Sequence, residues 1–116
     1  MLIAELEPVA SVAVRTSASS QHLIEVEDES MFNPGGEKSY RKGDFVTVDT
    51  TRAPRHKSTV VIWPDHEGPA QLKQLVIEPD GRKFLHSLNP LWPNRIAEFF
   101  DNAMIFGVVT GKWEAS

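Results

Sequence analysis

The chain contains no cysteine, a single tyrosine and no apolar run long enough to cross a bilayer. Without thiols, disulfide frameworks, thiolate nucleophiles and zinc ribbons are all excluded, and the cytoplasm becomes the default compartment. The longest apolar stretch, Ala103 to Val109 with Gly107 inside it, falls far short of the roughly 20 residues of a spanning helix, so no membrane partner is expected. The opening Met1–Glu5 has neither a basic region nor a long apolar segment, which argues against a secretory signal. A basic excess is missing too. Twelve Lys and Arg stand against sixteen Asp and Glu, a net charge of -4, so nonspecific binding to a phosphate backbone is a poor candidate for the main task. What is present is 116 residues, 41% apolar and 24% charged, which is enough for one compact domain with a true core and not for two.

Short β-branched runs and turn signals organise the chain. Pro8 to Val14 reads as a strand followed by the small, polar link RTSASSQ, so residues 1–21 form an N-terminal strand and link ahead of a domain at 22–116. From His22 to Asp28, Ile24 and Val26 alternate with Leu23, Glu25 and Glu27, the period of a half-buried strand that delivers Ser30 at its end. Phe32 to Gly43 carries Asn33, Pro34, Gly35 and Gly36, which predicts a long irregular loop. Phe45–Asp49, Thr59–Trp63 and Ala70–Ile77 read as strands. Pro79-Asp80-Gly81 then turns the chain into a returning strand over Arg82–Leu88. Ala103–Trp113 supplies a final long strand, and only Arg95–Phe100 has helical spacing, through Ile96, Phe99 and Phe100. Seven or so strands with little helix predict an all-β domain whose sheets are strongly curved or partly closed.

One pair of residues carries chemistry. Ser30 sits just after a strand at the mouth of the long loop. In an extended segment, Lys73 shares a face with Gln71, Leu75 and Ile77, so its ammonium projects among apolar side chains. Burial disfavours that charge, and a lysine that loses its proton near neutrality is the base that an otherwise inert serine hydroxyl needs. The backbone N–H groups of Ser30 and Met31, where the strand breaks, are candidate oxyanion donors. The bland alternative is that Lys73 extends to water and Ser30 only shapes a turn.

Other constellations are weaker. His22, His56, His66 and His86 lie at strand ends, connectors or turns without a G-x-S-x-G elbow, and His86, on one face with Phe84 and Leu88, reads as a core histidine with one hydrogen bond. His66-Glu67 lacks the second histidine of a helical zinc motif, so no metal is expected. Gly107 to Lys112 is one residue short of a phosphate loop and has Trp113 where Ser or Thr should follow, so no nucleotide cofactor is expected. Arg52, Arg55, His56 and Lys57 read as a solvated basic connector. Phe106, Trp113 and the run Val60–Trp63 exceed the apolar strand surface that a small domain easily hides, which points to a face covered by a second copy.

Five separated runs fall in a familiar order: LIEVEDESM at 23–31, RKGDFVTVD at 41–49, QLKQL at 71–75, LNPLWP at 88–93 and GVVTGKW at 107–113. In this the chain resembles the C-terminal domain of LexA and of the lambda-type CI repressors, a group that also contains UmuD. The resemblance covers about 90 residues, nearly everything after the polar link. It implies a LexA/signal-peptidase-like β fold in which Ser30 matches the family nucleophile and Lys73 the family general base. It also implies self-cleavage between the DNA-binding part and this domain, prompted in the SOS response by a RecA filament on single-stranded DNA. The same domain pairs the repressor as a homodimer or higher assembly, so operator DNA is bound only through a separate N-terminal domain, and cutting removes the gain from bivalent binding.

Two departures accompany the resemblance. The family usually has Gly two residues before the nucleophile, where this chain has Asp28. The Ala-Gly or Cys-Gly bond that relatives cut occurs nowhere in the chain, so it reads as the carboxyl-terminal portion of a longer prophage-type repressor. Competing expectations are a noncatalytic oligomerisation module and a UmuD-like accessory of a translesion polymerase.

Overall fold

The computed structural model describes residues 2–5, 20–63, 69–99 and 104–113. These contain β1 (Leu2–Glu5), β2 (Gln21–Glu25), β3 (Phe45–Asp49), β4 (Thr59–Ile62), β5 (Gln71–Ile77), β6 (Lys83–His86), β7 (Ile96–Phe99) and β8 (Ile105–Trp113). All pair antiparallel in one sheet of order β1-β2-β3-β8-β4-β5-β6-β7. The domain is all-β, as its short β-branched runs predict. Among the described residues β1 and β7 end the sheet, which therefore stays open rather than closing into a barrel.

The terminal strand β8 is the keystone, because it inserts between β3 and β4 and joins two local meanders. Its pairing slips by one residue at two places. Gly111 and Val109 face Thr47 and Val48, leaving Thr110 extra, and Gly107 and Ile105 face Val61 and Ile62, leaving Phe106 extra. Such bulges bend and twist a strand, here where it must serve two neighbours. The approach is close enough to demand glycine at one point: a Cβ on Gly107 would lie 2.6 Å from Val48 Cγ1 and 3.0 Å from the Asp49 carbonyl oxygen.

Apolar side chains cluster on both faces of the sheet. One cluster gathers Ile24, Val26, Met31, Val46, Val48 and Leu72, and the loop residue Tyr40 closes over it with its hydroxyl donating to Thr59 Oγ1. The other holds Val60, Ile62, Leu75, Phe99 and Val108. Strand β4 lies between them, and its four residues are all buried. Each such Val or Ile contributes about 1.5–3 kcal/mol relative to an exposed one.

This arrangement corrects several expectations. Val60–Ile62 is core and offers nothing to a second copy, because alternate residues enter the two clusters. Trp63 and Phe106 are half-buried and meet edge to face at 5.2 Å. Only Trp113 of that surplus stays largely exposed, facing Phe45 across the β3–β8 ladder. Ile96–Phe99, expected as a possible helix, is an edge strand, since its register against Lys83–His86 supplies hydrogen bonds that four isolated residues could not make as a helix. An eighth strand, β1, pairs with β2. The strand expected over Pro8–Val14 lies outside the described residues, as do Ala103 and Phe100. The irregular path expected from Phe32 to Gly43 is present.

Candidate functional site

The loop that follows β2 is shaped by its own polar residues. Val26 leaves the sheet with its N–H on the Asp44 carbonyl and its carbonyl accepting from Gly43. Two residues later the chain turns back. Asp28 Oδ1 accepts both the Ser30 N–H at 2.9 Å and the Ser30 hydroxyl at 2.7 Å, a side-chain turn of the kind that aspartate favours. Ser30 is buried, and the next side chain, Met31, enters the core beside it. The serine therefore sits at the point where the loop is anchored.

A second segment clamps this turn from the other end of the chain. The Asn89 N–H donates to the Ser30 carbonyl at 3.0 Å, and Asn89 Nδ2 donates to the Glu29 carbonyl at 2.9 Å. Asn89 Oδ1 in turn accepts the Leu91 N–H and fixes the Asn-Pro turn itself. The LNPLWP run thus has a structural reason to accompany the Ser-Met run in sequence: one holds the other.

Lys73 enters from β5 opposite Val60 of β4 and lies on one face with Leu75, as the alternation predicts. It is half-buried, and its Nζ donates to Ser87 Oγ at 2.6 Å. Burial pushes the Lys73 ammonium below the usual lysine range, and the Asp28 carboxylate acts in the opposite direction. Ser87 is buried just beyond β6, one step past the Gln74–His86 pair, with its N–H on the Arg95 carbonyl.

Asp28 is therefore common to both candidate residues: it binds the hydroxyl of Ser30 and its charge is felt by Lys73. Among the described residues, Ser30 and Lys73 do not hydrogen-bond each other. The serine gives its proton to Asp28 and the lysine gives its own to Ser87. Of the two oxyanion candidates, the Ser30 N–H is engaged by Asp28, whereas the Met31 N–H has no hydrogen bond among the described residues.

Sequence reasoning missed Ser87. The signal available was the strand register, which sets the residue after His86 across from Lys73, but that register is visible only once the β5–β6 hairpin is built. The sequence shows Asp28 only as a departure that brings a charge near Ser30; its two hydrogen bonds to Ser30 are visible only in the fold. His86 is half-buried and its imidazole makes no hydrogen bond among the described residues, which corrects the expected core histidine with one bond; burial, with Arg95 nearby, lowers its pKa. The basic connector lines a surface cleft of about 360 Å³ with Lys38, Arg52 and Arg55, apart from Ser30 and Lys73.

An antiparallel β domain that gathers a buried serine and a half-buried lysine around one carboxylate has the makings of a peptidase-type domain. The model of the Peptidase S24-like family matches residues 4–110, and the chain belongs to that family, as a domain of the LexA/CI repressor type. Its relatives are regulators. It is 38% identical over 86 residues to repressor protein C2 of Salmonella phage P22, which covers 74% of this chain and 38% of that protein. It is 37% identical over 86 residues to the HTH-type transcriptional regulator for conjugative element SXT of Vibrio cholerae, covering 74% and 39%. To the prophage repressor CohE of Escherichia coli it is 30% identical over 88 residues, covering 76% and 37%. The chain thus spans well under half the length of the curated relatives it matches.

Proposed function

We propose that the chain is the self-cleaving and pairing domain of a phage-type or mobile-element repressor, with Ser30 as nucleophile and Lys73 as general base. The observation that carries this reading is the placement of Lys73: an amine held half-buried, lowered in pKa by that burial, and within the charge field of the carboxylate that binds a buried serine. A lysine that served only solubility would extend its ammonium to water.

In the proposed reaction neutral Lys73 takes the proton of Ser30 Oγ as the oxygen attacks a peptide carbonyl carbon of the same polypeptide, and the Met31 N–H faces the oxygen that becomes negative. The tetrahedral centre then collapses. The C–N bond breaks, the Lys73 ammonium returns its proton to the departing amine, and an acyl ester remains on Ser30. Water, deprotonated by the same amine, hydrolyses that ester and regenerates Ser30. Ser87 holds Nζ in place through this sequence. A RecA filament on single-stranded DNA is the proposed trigger, and operator DNA is proposed to be read by a further domain of the longer repressor.

Pairing is assigned to the end of the β3–β8 ladder, where Phe45 and Trp113 stand exposed and opposite one another. The repressor and regulator names of the relatives favour the repressor reading over a polymerase accessory. A noncatalytic module is the second reading, favoured by the hold that Asp28 has on both donors of Ser30.

The test uses the natural longer protein incubated at raised pH. A single cut that Ser30→Ala and Lys73→Ala each abolish, with folding unchanged by circular dichroism, supports the peptidase. Cutting that persists in either variant overturns the dyad. An intact parent protein, with and without RecA filaments, makes the domain a noncatalytic module.

A further inference from the structure

We propose that Asp28 is a positioning residue that holds the nucleophile in a resting arrangement, and that self-cleavage begins when the Ser30 hydroxyl leaves Asp28 for the Lys73 amine. The inference rests on the Ser30/Lys73 reading above and adds a control to it.

A serine hydroxyl has one proton to donate. Here that proton goes to Asp28 Oδ1 at 2.7 Å, so it is not shared with Lys73. The same carboxylate oxygen takes the Ser30 N–H, one of the two groups that would stabilise an oxyanion. A single acceptor therefore occupies the nucleophile's proton and one arm of the oxyanion site together.

The lysine is held in a matching way. Lys73 faces Val60 from β4, Ser87 from the segment after β6 and the charge of Asp28 from the loop after β2. Of these, Asp28 alone is charged, and its negative charge favours the ammonium, the form that cannot act as a base. Geometry and charge act in the same sense: while Asp28 is in place it holds the proton of the hydroxyl, and its charge works against the loss of a proton from Lys73 that burial favours.

Asp28 is also free to let go. Its residue is exposed, whereas Ser30 and Ser87 are buried, so the carboxylate can rotate into water without disturbing the core. Release frees the hydroxyl and the N–H at once and removes an opposing charge from the base. The glycine that usually stands here in the resembled family has no side chain with which to do this. In this chain the latch is added to whatever else governs access of the scissile peptide.

The experiment compares the natural longer protein with its Asp28→Asn and Asp28→Ala forms, following self-cleavage without activator from about pH 6 to about pH 10. Asp28→Asn keeps an acceptor oxygen for Ser30 and removes the charge, while Asp28→Ala removes both. The midpoint of the rate–pH curve should move to lower pH in both variants, with roughly a tenfold gain in rate at neutral pH for each pH unit moved. Asp28→Ala should also raise the plateau at high pH. In parallel, the Cε resonance of Lys73 in the 116-residue chain should titrate at lower pH in Asp28→Asn, a readout that needs no cleavage.

A curve and a lysine titration that match the parent in both variants, or slower cutting by Asp28→Ala with an unmoved midpoint, overturn the latch and leave Asp28 a turn former. Ser30→Ala and Lys73→Ala separate the two levels. If these abolish cutting while the Asp28 variants behave as the parent, the latch alone fails. If they cut normally, the dyad fails and the latch with it.

Discussion

Replacing Ser87 with alanine removes one oxygen from the candidate site and predicts two effects of opposite sense. Ser87 Oγ accepts from Lys73 Nζ at 2.6 Å, a short, charge-assisted bond at a buried serine. Hydrogen bonds to charged groups contribute about 1.5–3 kcal/mol when shielded, but Lys73 is only half-buried and water can take over part of the role, which reduces the figure to about 1 kcal/mol. The bond favours the ammonium, so its loss shifts the amine toward its neutral form by roughly fivefold, and the rate–pH curve should move to lower pH. At the same time Nζ loses the contact that fixes its direction. Misplacing a base costs about 10- to 100-fold, so the plateau rate at high pH should fall by that order. Self-cleavage of the natural longer protein over a pH series reads both quantities, and thermal unfolding should show a loss of no more than about 5 °C. The Ser87 and Asp28 variants thus share a shift to lower pH but move the plateau in opposite directions. A Ser87→Ala protein whose plateau equals that of the parent would refute the argument that this hydroxyl positions the base.

Two further predictions concern pairing and the core. Trp113→Ala removes the largest exposed apolar side chain of the β3–β8 end, and the dimer dissociation constant measured by sedimentation should rise by about 30-fold or more, the loss of a typical hot spot of about 2 kcal/mol; an unchanged constant places the interface elsewhere. Tyr40 donates to Thr59 Oγ1 in the interior, and burial raises the Tyr40 phenol above its ordinary 10.0, with the Thr59 bond acting against this. Above about pH 10 the unfolded chain therefore releases this proton before the folded one, the folded state binds more protons, and stability falls as pH rises. Tyr40→Phe should cost about 1 kcal/mol at neutral pH and flatten that alkaline decline in urea titrations; a decline as steep as the parent's removes Tyr40 as its cause.

How far the sequence can be read follows from the range of the interactions involved. Ile24 and Val26 alternate with Glu25 and Glu27 because a strand shows its two faces in turn, and that pattern is visible without coordinates. The same holds for Phe45–Asp49, Thr59–Ile62 and the β5–β6 hairpin, where β-branched runs and a Pro-Asp-Gly turn specify local structure. The Ile96–Phe99 segment was ambiguous because four residues fit both periods, and only pairing with β6 decides between them. The apolar surplus of Val60–Trp63 reads as an exterior face for a similar reason. Sequence counts apolar side chains, but it does not show that the sheet is covered on both sides at β4.

The sequence alone settled the all-β class and the irregular loop after β2, because composition and alternation are local properties, and residue chemistry with the family resemblance singled out Ser30 and Lys73 as the pair to propose as nucleophile and base. The sheet order was decided by long-range pairing, which brings β8 between strands far away in the chain. The state of the candidate site was likewise decided in three dimensions. Whether a hydroxyl points at a lysine or at an aspartate two residues away depends on which acceptor the folded backbone places nearer, and here Asp28 holds Ser30 while Ser87 holds Lys73.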